Sequence, residues 1–157
     1  MINLSMPGRD TPLELHNLLL DMNGTLTTDG VLITGVKEKL ELLKKHLNMY
    51  LLTADTHGNG VSVAEELNIE IFKVSGVEGG QDKLDFLNTL RAENTVAIGN
   101  GYNDTLMLEQ AALAVAVIGE EGCSVHALKR ADIVVKDIND ALSLLLNPLR
   151  IIASLRG

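Results

Sequence analysis

Six short apolar segments, separated by amphipathic helical patterns, restrict the fold of this chain more than any other feature. The segments are HNLLLD, LNMYLLTA, NIEIFKV, NTVAIGN, ALAVAVIG and DIVVKD. Most are apolar throughout, which is typical of parallel strands covered on both faces. The segments between them show helical spacing, as with Val36, Leu40, Leu43 and Leu47 on one face. Strand followed by helix, repeated, predicts right-handed crossovers and a three-layer, doubly wound α/β sheet.

The two ends of the chain add to this pattern. The opening segment INLSM is expected to pair with residues 13 to 20 as an antiparallel edge hairpin that turns at Pro7 and Gly8. Pro148 is expected to end or kink the last helix. The 157 residues contain no internal repeat, low-complexity segment or linker. We therefore predict one domain over residues 1–157.

Charge and cysteine content narrow the expected partners and location. The net charge of -8 argues against nucleic acid and anionic membranes as partners. A single cysteine, Cys123, excludes an internal disulfide and suits a reducing compartment. The sequence has neither a signal-peptide pattern nor an apolar run of membrane-spanning length. We therefore expect a cytoplasmic protein.

Polar side chains follow three of the predicted strands at the points where those strands end. Asp21 follows LLL, Thr53 follows YLL, and the segment GNGYND follows VAI, while Lys83 is placed in the first turn of a predicted helix. In a doubly wound sheet, ligands bind beyond the carboxyl ends of the strands, where the strand order switches. A nucleophilic carboxylate beside a hydroxyl, a lysine and a glycine turn indicates phosphoryl transfer, with Mg²⁺ between carboxylates to neutralise the phosphate.

Each of these residues also has an ordinary structural explanation. Asp21 could be a turn residue, because Asp before Asn-Gly suits a turn. Thr53 and Asp55 could cap the next helix, Lys83 could be a solvated helix residue, and GNGYND could be a bare loop. All four occur together, in the order of a known catalytic set, which favours the joint functional interpretation.

Other catalytic motifs are absent from the sequence. It contains no GxxxxGK[ST], no GxGxxG after the first strand, and no spacing of His and Cys that suits zinc. His57, in TADTHGNG, is expected at the rim of the predicted site, and the other three histidines are given no functional role.

The four motifs together resemble those of the haloacid dehalogenase superfamily. The family's first motif, DxDGT, corresponds to DMNGT, its Ser or Thr strand end to Thr53, its Lys to Lys83, and its acidic pair in part to GNGYND. The resemblance covers nearly the whole chain. It is strongest for the phosphorylation domain of P-type ATPases, whose TGD and GDGxND are similar to TAD and GNGYND here.

The resemblance implies a Rossmann-like core and a Mg²⁺-dependent phosphatase or phosphotransferase that acts through an aspartyl phosphate on Asp21. It also implies three overlapping sets of site residues. The catalytic set is Asp21, Asn23, Thr53 and Lys83. The phosphate-binding set is Asn23, Gly24, Thr53, Ala54, Lys83 and Asn103. The metal-binding set is Asp21, the backbone carbonyl of Asn23, Asn100 and Asp104.

Two amides depart from the family pattern. Asn23 replaces the acid that protonates the leaving group and later activates water, and Asn100 replaces the first acid of the fourth motif, usually a metal ligand. An amide does not exchange protons at neutral pH and binds Mg²⁺ more weakly than a carboxylate does. The substitutions predict a slow enzyme and leave open an inert phosphate- or metal-binding regulatory module. A response-regulator receiver is a third alternative, disfavoured by NGT after Asp21 and by the late GNGYND.

The spacing of the motifs leaves no room for a cap domain, so the site is expected to be open. Capless members of the family complete the site with a neighbouring subunit or act on large substrates. The resemblance therefore implies a phosphorylated substrate and a homo-oligomer formed through the hairpin of residues 26–35. Val31, Leu32 and Ile33 of that hairpin could pack on the neighbour.

Overall fold

The computed structural model describes residues 1–54 and 58–157. Its strands are β1 (Ile2–Leu4), β2 (Leu13–Leu15), β3 (Asn17–Asp21), β4 (Thr27–Thr28), β5 (Val31–Leu32), β6 (Asn48–Thr53), β7 (Glu70–Lys73), β8 (Thr95–Gly99), β9 (Leu113–Val117) and β10 (Ile133–Val135). Its α-helices are α1 (Val36–Leu43), α2 (Gly60–Leu67), α3 (Gly79–Thr89), α4 (Thr105–Gln110), α5 (Val125–Leu128), α6 (Ile138–Leu146) and α7 (Pro148–Leu155), with short 3₁₀ helices at Ala92–Asn94 and Tyr102–Asp104.

A parallel sheet of six strands forms the centre of the fold, in the order β10-β9-β8-β3-β6-β7. Each of the six apolar segments contributes one of these strands. Leu20 of β3 lies opposite Leu51 of β6 on one side and Ile98 of β8 on the other. The chain runs outward from β3 through β6 to β7 and then returns to β8, so the strand order switches beside β3. This arrangement confirms the predicted doubly wound α/β fold.

Helices cover both faces of the sheet and enclose two hydrophobic cores. Leu18 and Leu20 of β3 belong to the larger core with α1, α2, α6 and α7, whereas Leu19 belongs to the smaller core with α3, α4 and α5. Because both faces are covered, every residue of β3, β8 and β9 is buried. This burial explains why these strands are continuous apolar runs in the sequence.

The N-terminal hairpin forms, but its place in the fold differs from the prediction. Ile2 of β1 pairs antiparallel with Leu15 of β2, and the Arg9 N–H donates to the Met6 carbonyl across the Pro7–Gly8 turn. The two strands make a sheet of their own and do not extend an edge of the central sheet. The difference arises because the later half of the predicted partner segment, from Asn17 onward, is the central strand β3 itself.

Pro148 acts as predicted at the end of the chain. Helix α6 ends at Leu146, and Pro148 opens α7, which is turned by 99° from α6. No single helix in the described part of the chain is long and apolar enough to cross a membrane, and α6 with α7 passes that test only as a bent pair.

Between β3 and β6 the chain forms only a small hairpin, β4 with β5, followed by α1. The described residues therefore contain no cap domain at this position. Val31 of the hairpin is 70% exposed, whereas Leu32 and Ile33 are half-buried and pack against the larger core. The hairpin thus presents less apolar surface than the sequence suggested. The homo-oligomer and the single-domain assignment remain predictions.

Candidate active site

Asp21 lies at the carboxyl end of β3, where the strand order switches. Three fully buried leucines precede it, and Asp21 itself is only 6% exposed. The chain then turns tightly, with the Met22 carbonyl accepting the N–H groups of Thr25, Leu26 and Thr27. Gly24 sits in this turn at φ +79, where a Cβ would lie 2.3 Å from Asn100 Nδ2. The position therefore requires glycine for both its backbone conformation and its close contact.

Lys83 reaches Asp21 from helix α3. Its ammonium group is fully buried and donates to Asp21 Oδ1 at 2.7 Å and to Asp104 Oδ1 at 2.6 Å. The explanation of Lys83 as a solvated surface residue is therefore wrong. Its placement in the first helical turn is also wrong, because α3 begins at Gly79 and Lys83 lies one turn further in.

The segment GNGYND is a tightly bonded turn and not a bare loop. Asp104 is fully buried, and its Oδ2 accepts the backbone N–H groups of Asn100 at 3.0 Å and Gly101 at 2.8 Å. Gly99 precedes the turn, and a Cβ there would lie 2.5 Å from Asp104 Cγ. Both carboxylate oxygens of Asp104 are thus engaged, one with Lys83 and the other with the turn.

Thr25 is a site residue that our sequence reasoning missed. Its hydroxyl is fully buried and lies 3.1 Å from Asp21 Oδ2 and 3.1 Å from Asn100 Oδ1. A hydroxyl has one hydrogen, so it donates to only one of these oxygens at a time. The signal was present in the sequence, because Thr25 is the last residue of the DMNGT motif.

Burial and the charges of Asp21, Lys83 and Asp104 shift the pKa values of Asp21 and Lys83. Burial, followed by the charge of Asp104, raises the pKa of Asp21 to about 6, although Lys83 and Thr25 act in the opposite direction. Burial alone would lower the pKa of Lys83, but the two carboxylates outweigh it and raise that pKa above its usual range. Lys83 therefore remains a cation at neutral pH, and two carboxylates share its single positive charge.

The other predicted phosphate ligands lie at neighbouring strand ends. Thr53 ends β6 and is 1% exposed, and Ala54 follows it. Asn103 is half-buried beside the start of α3, its Nδ2 lying 3.6 Å from where a Cβ on Gly79 would be. Asn23 Oδ1 is buried and has no hydrogen-bond partner among the described residues.

Two of the residues singled out in the sequence, Asp55 and His57, lie outside the described residues. Their predicted places, as a possible capping residue and a rim residue respectively, therefore stay predictions.

The oxygens near Asp21 fit a loosely held Mg²⁺. Asp21 Oδ2 and Asn100 Oδ1 lie within 3.1 Å of the same Thr25 hydroxyl, and Mg²⁺ prefers such hard oxygen ligands. Within residues 1–54 and 58–157, no group of three or more His, Cys, Asp or Glu side chains is placed to hold a metal ion. Asp104, with both oxygens engaged, stays a predicted ligand. The few protein oxygens near Asp21 suit a metal ion whose coordination shell is completed by substrate oxygens.

A family model and two proteins from Methanocaldococcus jannaschii are similar in sequence to this chain. The family model for haloacid dehalogenase-like hydrolases matches residues 27–142, a match that begins just after Asp21. An uncharacterized protein from Methanocaldococcus jannaschii is 51% identical over 78 residues, which are 47% of this chain and 84% of that protein. A soluble P-type ATPase-like phosphatase from the same organism is 26% identical over 140 residues, which are 87% of this chain. The match covers 51% of that phosphatase, so the chain spans about half its length.

Solved structures share the same architecture. The 3-deoxy-D-manno-octulosonate 8-phosphate phosphatase from Moraxella catarrhalis, in complex with magnesium, phosphate and KDO, has a TM-score of 0.67 and 17% identity, over 90% of this chain and 94% of its own. At that identity the likeness concerns the fold alone. The catalytic domain of the CPx-ATPase CopB has a TM-score of 0.60 and 29% identity, over 73% of this chain and 46% of its own.

Proposed function

This chain belongs to the haloacid dehalogenase-like hydrolase family, and we propose that it is a Mg²⁺-dependent phosphohydrolase or phosphotransferase. The reaction would proceed through an aspartyl phosphate on Asp21. One observation carries the proposal: the Asp21 carboxylate is held by Lys83 and Thr25 at the point where the strand order switches. The sequence likeness to a soluble P-type ATPase-like phosphatase and to the catalytic domain of a CPx-ATPase supports the same reaction class.

In the proposed first step, an oxygen of Asp21 attacks phosphorus and the bond to the leaving group breaks. The leaving group departs with the electron pair, and an acyl phosphate remains on Asp21. Lys83, the Thr53 hydroxyl and the N–H groups near Gly24 and Ala54 would hold the phosphoryl oxygens, with Asn103 beside them. Mg²⁺ would be held by Asp21, Asn100, Asp104 and the backbone carbonyl of Asn23, and it would neutralise charge on those oxygens.

The amide of Asn23 limits which donors this site can use. An amide supplies no proton at neutral pH, so the leaving group must depart as a stable anion. Acyl phosphates meet that requirement, whereas alkyl phosphates do not. The same lack of a base slows the attack of water on the aspartyl phosphate. We therefore propose slow turnover, with the phosphorylated protein accumulating between the two steps.

A second candidate function is a regulatory module that binds phosphate or metal without turnover. The observation that favours it is the pair of amides, Asn23 and Asn100, at positions where the family carries acids. The single cysteine of the chain suits the cytoplasm, which we propose as the location for either function.

The decisive experiment is to trap the phosphorylated protein. The parent chain and the Asp21→Asn variant are incubated with Mg²⁺ and acetyl phosphate and examined by intact-mass spectrometry. We expect a hydroxylamine-sensitive phosphoryl adduct on the parent only. Crystals soaked with Mg²⁺ and beryllium fluoride should show the mimic on Asp21. If neither adduct forms at high ligand concentration, the regulatory module is the better explanation.

A further inference from the structure

We propose that Asn100 is a positioning residue whose side-chain amide fastens the loop of residues 118–124 to the active site. On this view the Asn100 amide has a role of its own and does not merely mark the loss of the family's acid. It performs a task that a carboxylate at the same position could not. The effect on phosphoryl transfer rests on the proposed function, but the fastening of the loop does not.

Every polar group of Asn100 lies within hydrogen-bonding distance of a neighbouring residue. Its backbone N–H donates to Asp104 Oδ2 at 3.0 Å, and its carbonyl accepts the Ser124 N–H at 2.7 Å. Its side-chain Nδ2 donates to the Gly122 carbonyl at 3.0 Å, which leaves Oδ1 directed at Thr25 at 3.1 Å. The residue is only 9% exposed, so an unpaired polar group here would be costly.

The loop of residues 118–124 has no regular secondary structure and depends on such contacts. Besides Asn100 it contacts two other parts of the site. Gly119 lies against the turn after Asp21, since a Cβ there would be 3.2 Å from the Gly24 carbonyl. Glu121 accepts the N–H of Asp29 at 3.2 Å, at the tip of the β4–β5 hairpin. The loop therefore joins the Gly24 turn, the hairpin and the GNGYND turn.

A carboxylate could not replace the amide in this network. An ionised Asp at position 100 has two acceptor oxygens, and one of them would face the Gly122 carbonyl with no hydrogen between them. It would also add a third negative charge beside Asp21 and Asp104. Unlike a carboxylate, the amide places no negative charge beside Thr25 and the predicted metal position. Its Nδ2 instead supplies the hydrogen-bond donor that binds the Gly122 carbonyl of the loop.

The test compares two identical chemical changes at two Asn-Gly pairs of the site. Asn100→Asp removes the donor to Gly122, whereas Asn23→Asp makes the same change in charge at a side chain whose Oδ1 has no hydrogen-bond partner among the described residues. A third variant, Gly122→Ala, keeps Asn100 and all charges. It strains the loop because Gly122 has φ +80, although a Cβ there would meet no atom of the described residues within 4 Å.

Hydrogen exchange is measured on the three variants and the parent without metal or phosphate. We expect the N–H groups of residues 119–124 to exchange about tenfold faster in Asn100→Asp, the change that loss of one hydrogen bond produces, and also faster in Gly122→Ala. Asn23→Asp should match the parent there, and strand β9 should stay protected in all four proteins. Unchanged loop exchange in Asn100→Asp and Gly122→Ala would overturn the proposal.

A kinetic readout separates positioning from a purely structural role. Loosening the loop should disturb the Gly24 turn, which would bind phosphate equally in the ground and transition states. We therefore expect Gly122→Ala to raise KM for acetyl phosphate several-fold while kcat stays within about twofold. A change in kcat alone would contradict this role. If no protein turns over, the proposed function fails while the exchange result still stands.

Discussion

The Asp21 carboxyl is held at the end of β3 in surroundings that favour its protonated form. Its pKa of about 6 in the folded protein lies above its ordinary value of 3.8, which applies when the chain is unfolded. Unfolding therefore releases a proton between these two pH values. It follows that the Asp21 charge destabilises the folded state at neutral pH, fully above about pH 6 and not at all below about pH 3.8.

Asp21→Asn should therefore abolish phosphoryl transfer and stabilise the fold. The difference between a pKa of 3.8 and one of about 6 corresponds to up to about 3 kcal/mol, which would raise Tm by roughly 5 °C or more at neutral pH. Thermal unfolding of both proteins in a chelator should show this gain at pH 7.5, with the gain shrinking toward pH 4. A variant that turns over like the parent would remove Asp21 as the nucleophile.

Asn23→Asp should produce a faster phosphatase. The new carboxyl could donate a proton to the leaving group and later accept one from water, which is typically worth roughly 10²–10⁴-fold. We expect the lower end, because a third carboxylate near Asp21 and Asp104 opposes ionisation of the nucleophile. Steady-state assays should show a larger gain for an alkyl phosphate than for an aryl phosphate. A variant that binds Mg²⁺ normally but hydrolyses neither ester faster would favour the regulatory module.

How far the site could be predicted differs from residue to residue. Asp21 and Lys83 could be found because each occupies a motif position with a distinctive side chain. The contacts of Thr25 and Asn100 could not, because they depend on how the ends of β3 and β8 approach one another. Neither motif spacing nor periodicity carries that information.

At the scale of the element, helix α3 connects the surface to the centre of the site. Its first residues, Gly79 and Gly80, lie against Asn103, and one turn later Lys83 passes inward to both carboxylates. The sequence placed the start of this helix two residues late, at Gln81, because a glycine pair is a poor signal for a helix start. The strands were easier to predict, since burial on both faces leaves a continuous apolar run.

Lys83→Met should destabilise the protein by about 3–5 kcal/mol at neutral pH, because it leaves two buried carboxylates without their cation. The loss should shrink as the pH falls, since without Lys83 the pKa of Asp21 would rise further and the carboxyl would take up a proton. Urea unfolding at pH 7.5 and pH 5 measures both effects. Lys45→Met, at an exposed lysine, is the matched control and should stay within about 0.5 kcal/mol of the parent. Equal losses in the two variants would contradict the assigned role of Lys83.

At the scale of the whole molecule, metal and phosphate should stabilise the fold jointly. Among the described residues, Asp21 is the one carboxylate that contacts the same Thr25 hydroxyl as Asn100 Oδ1, so Mg²⁺ alone should bind weakly, in the millimolar range by hypothesis. Mg²⁺ with beryllium fluoride should raise Tm by more than the sum of the separate shifts, because only the joint ligand fills the coordination shell. Calorimetry with Mg²⁺ alone is the check, and tight binding would reveal a ligand that we have not identified.

The overall architecture was the most predictable level, since six apolar runs separated by helical patterns permit few topologies. The N-terminal hairpin was placed less well. Pairing of β1 with β2 follows from local apolar residues and a Pro-Gly turn, but whether it joins the central sheet depends on which edge is free. Which edge is free is decided only when the whole sheet has assembled, so no single segment of the sequence reveals it.

The tight turns around Asn23 and Asn100 also determine how this protein should age chemically. Asn followed by Gly loses its amide when the glycine nitrogen attacks the side-chain carbonyl carbon and expels ammonia, which leaves a succinimide that water opens to aspartate or isoaspartate. Here the Gly24 N–H donates to the Thr27 carbonyl at 3.0 Å and the Gly101 N–H to Asp104 Oδ2 at 2.8 Å, so neither nitrogen is free to attack. Peptide mapping after mildly alkaline storage should find both amides intact in the folded protein and both converting in urea. Any slow deamidation of Asn23 or Asn100 in the folded protein would then report how often these turns open locally.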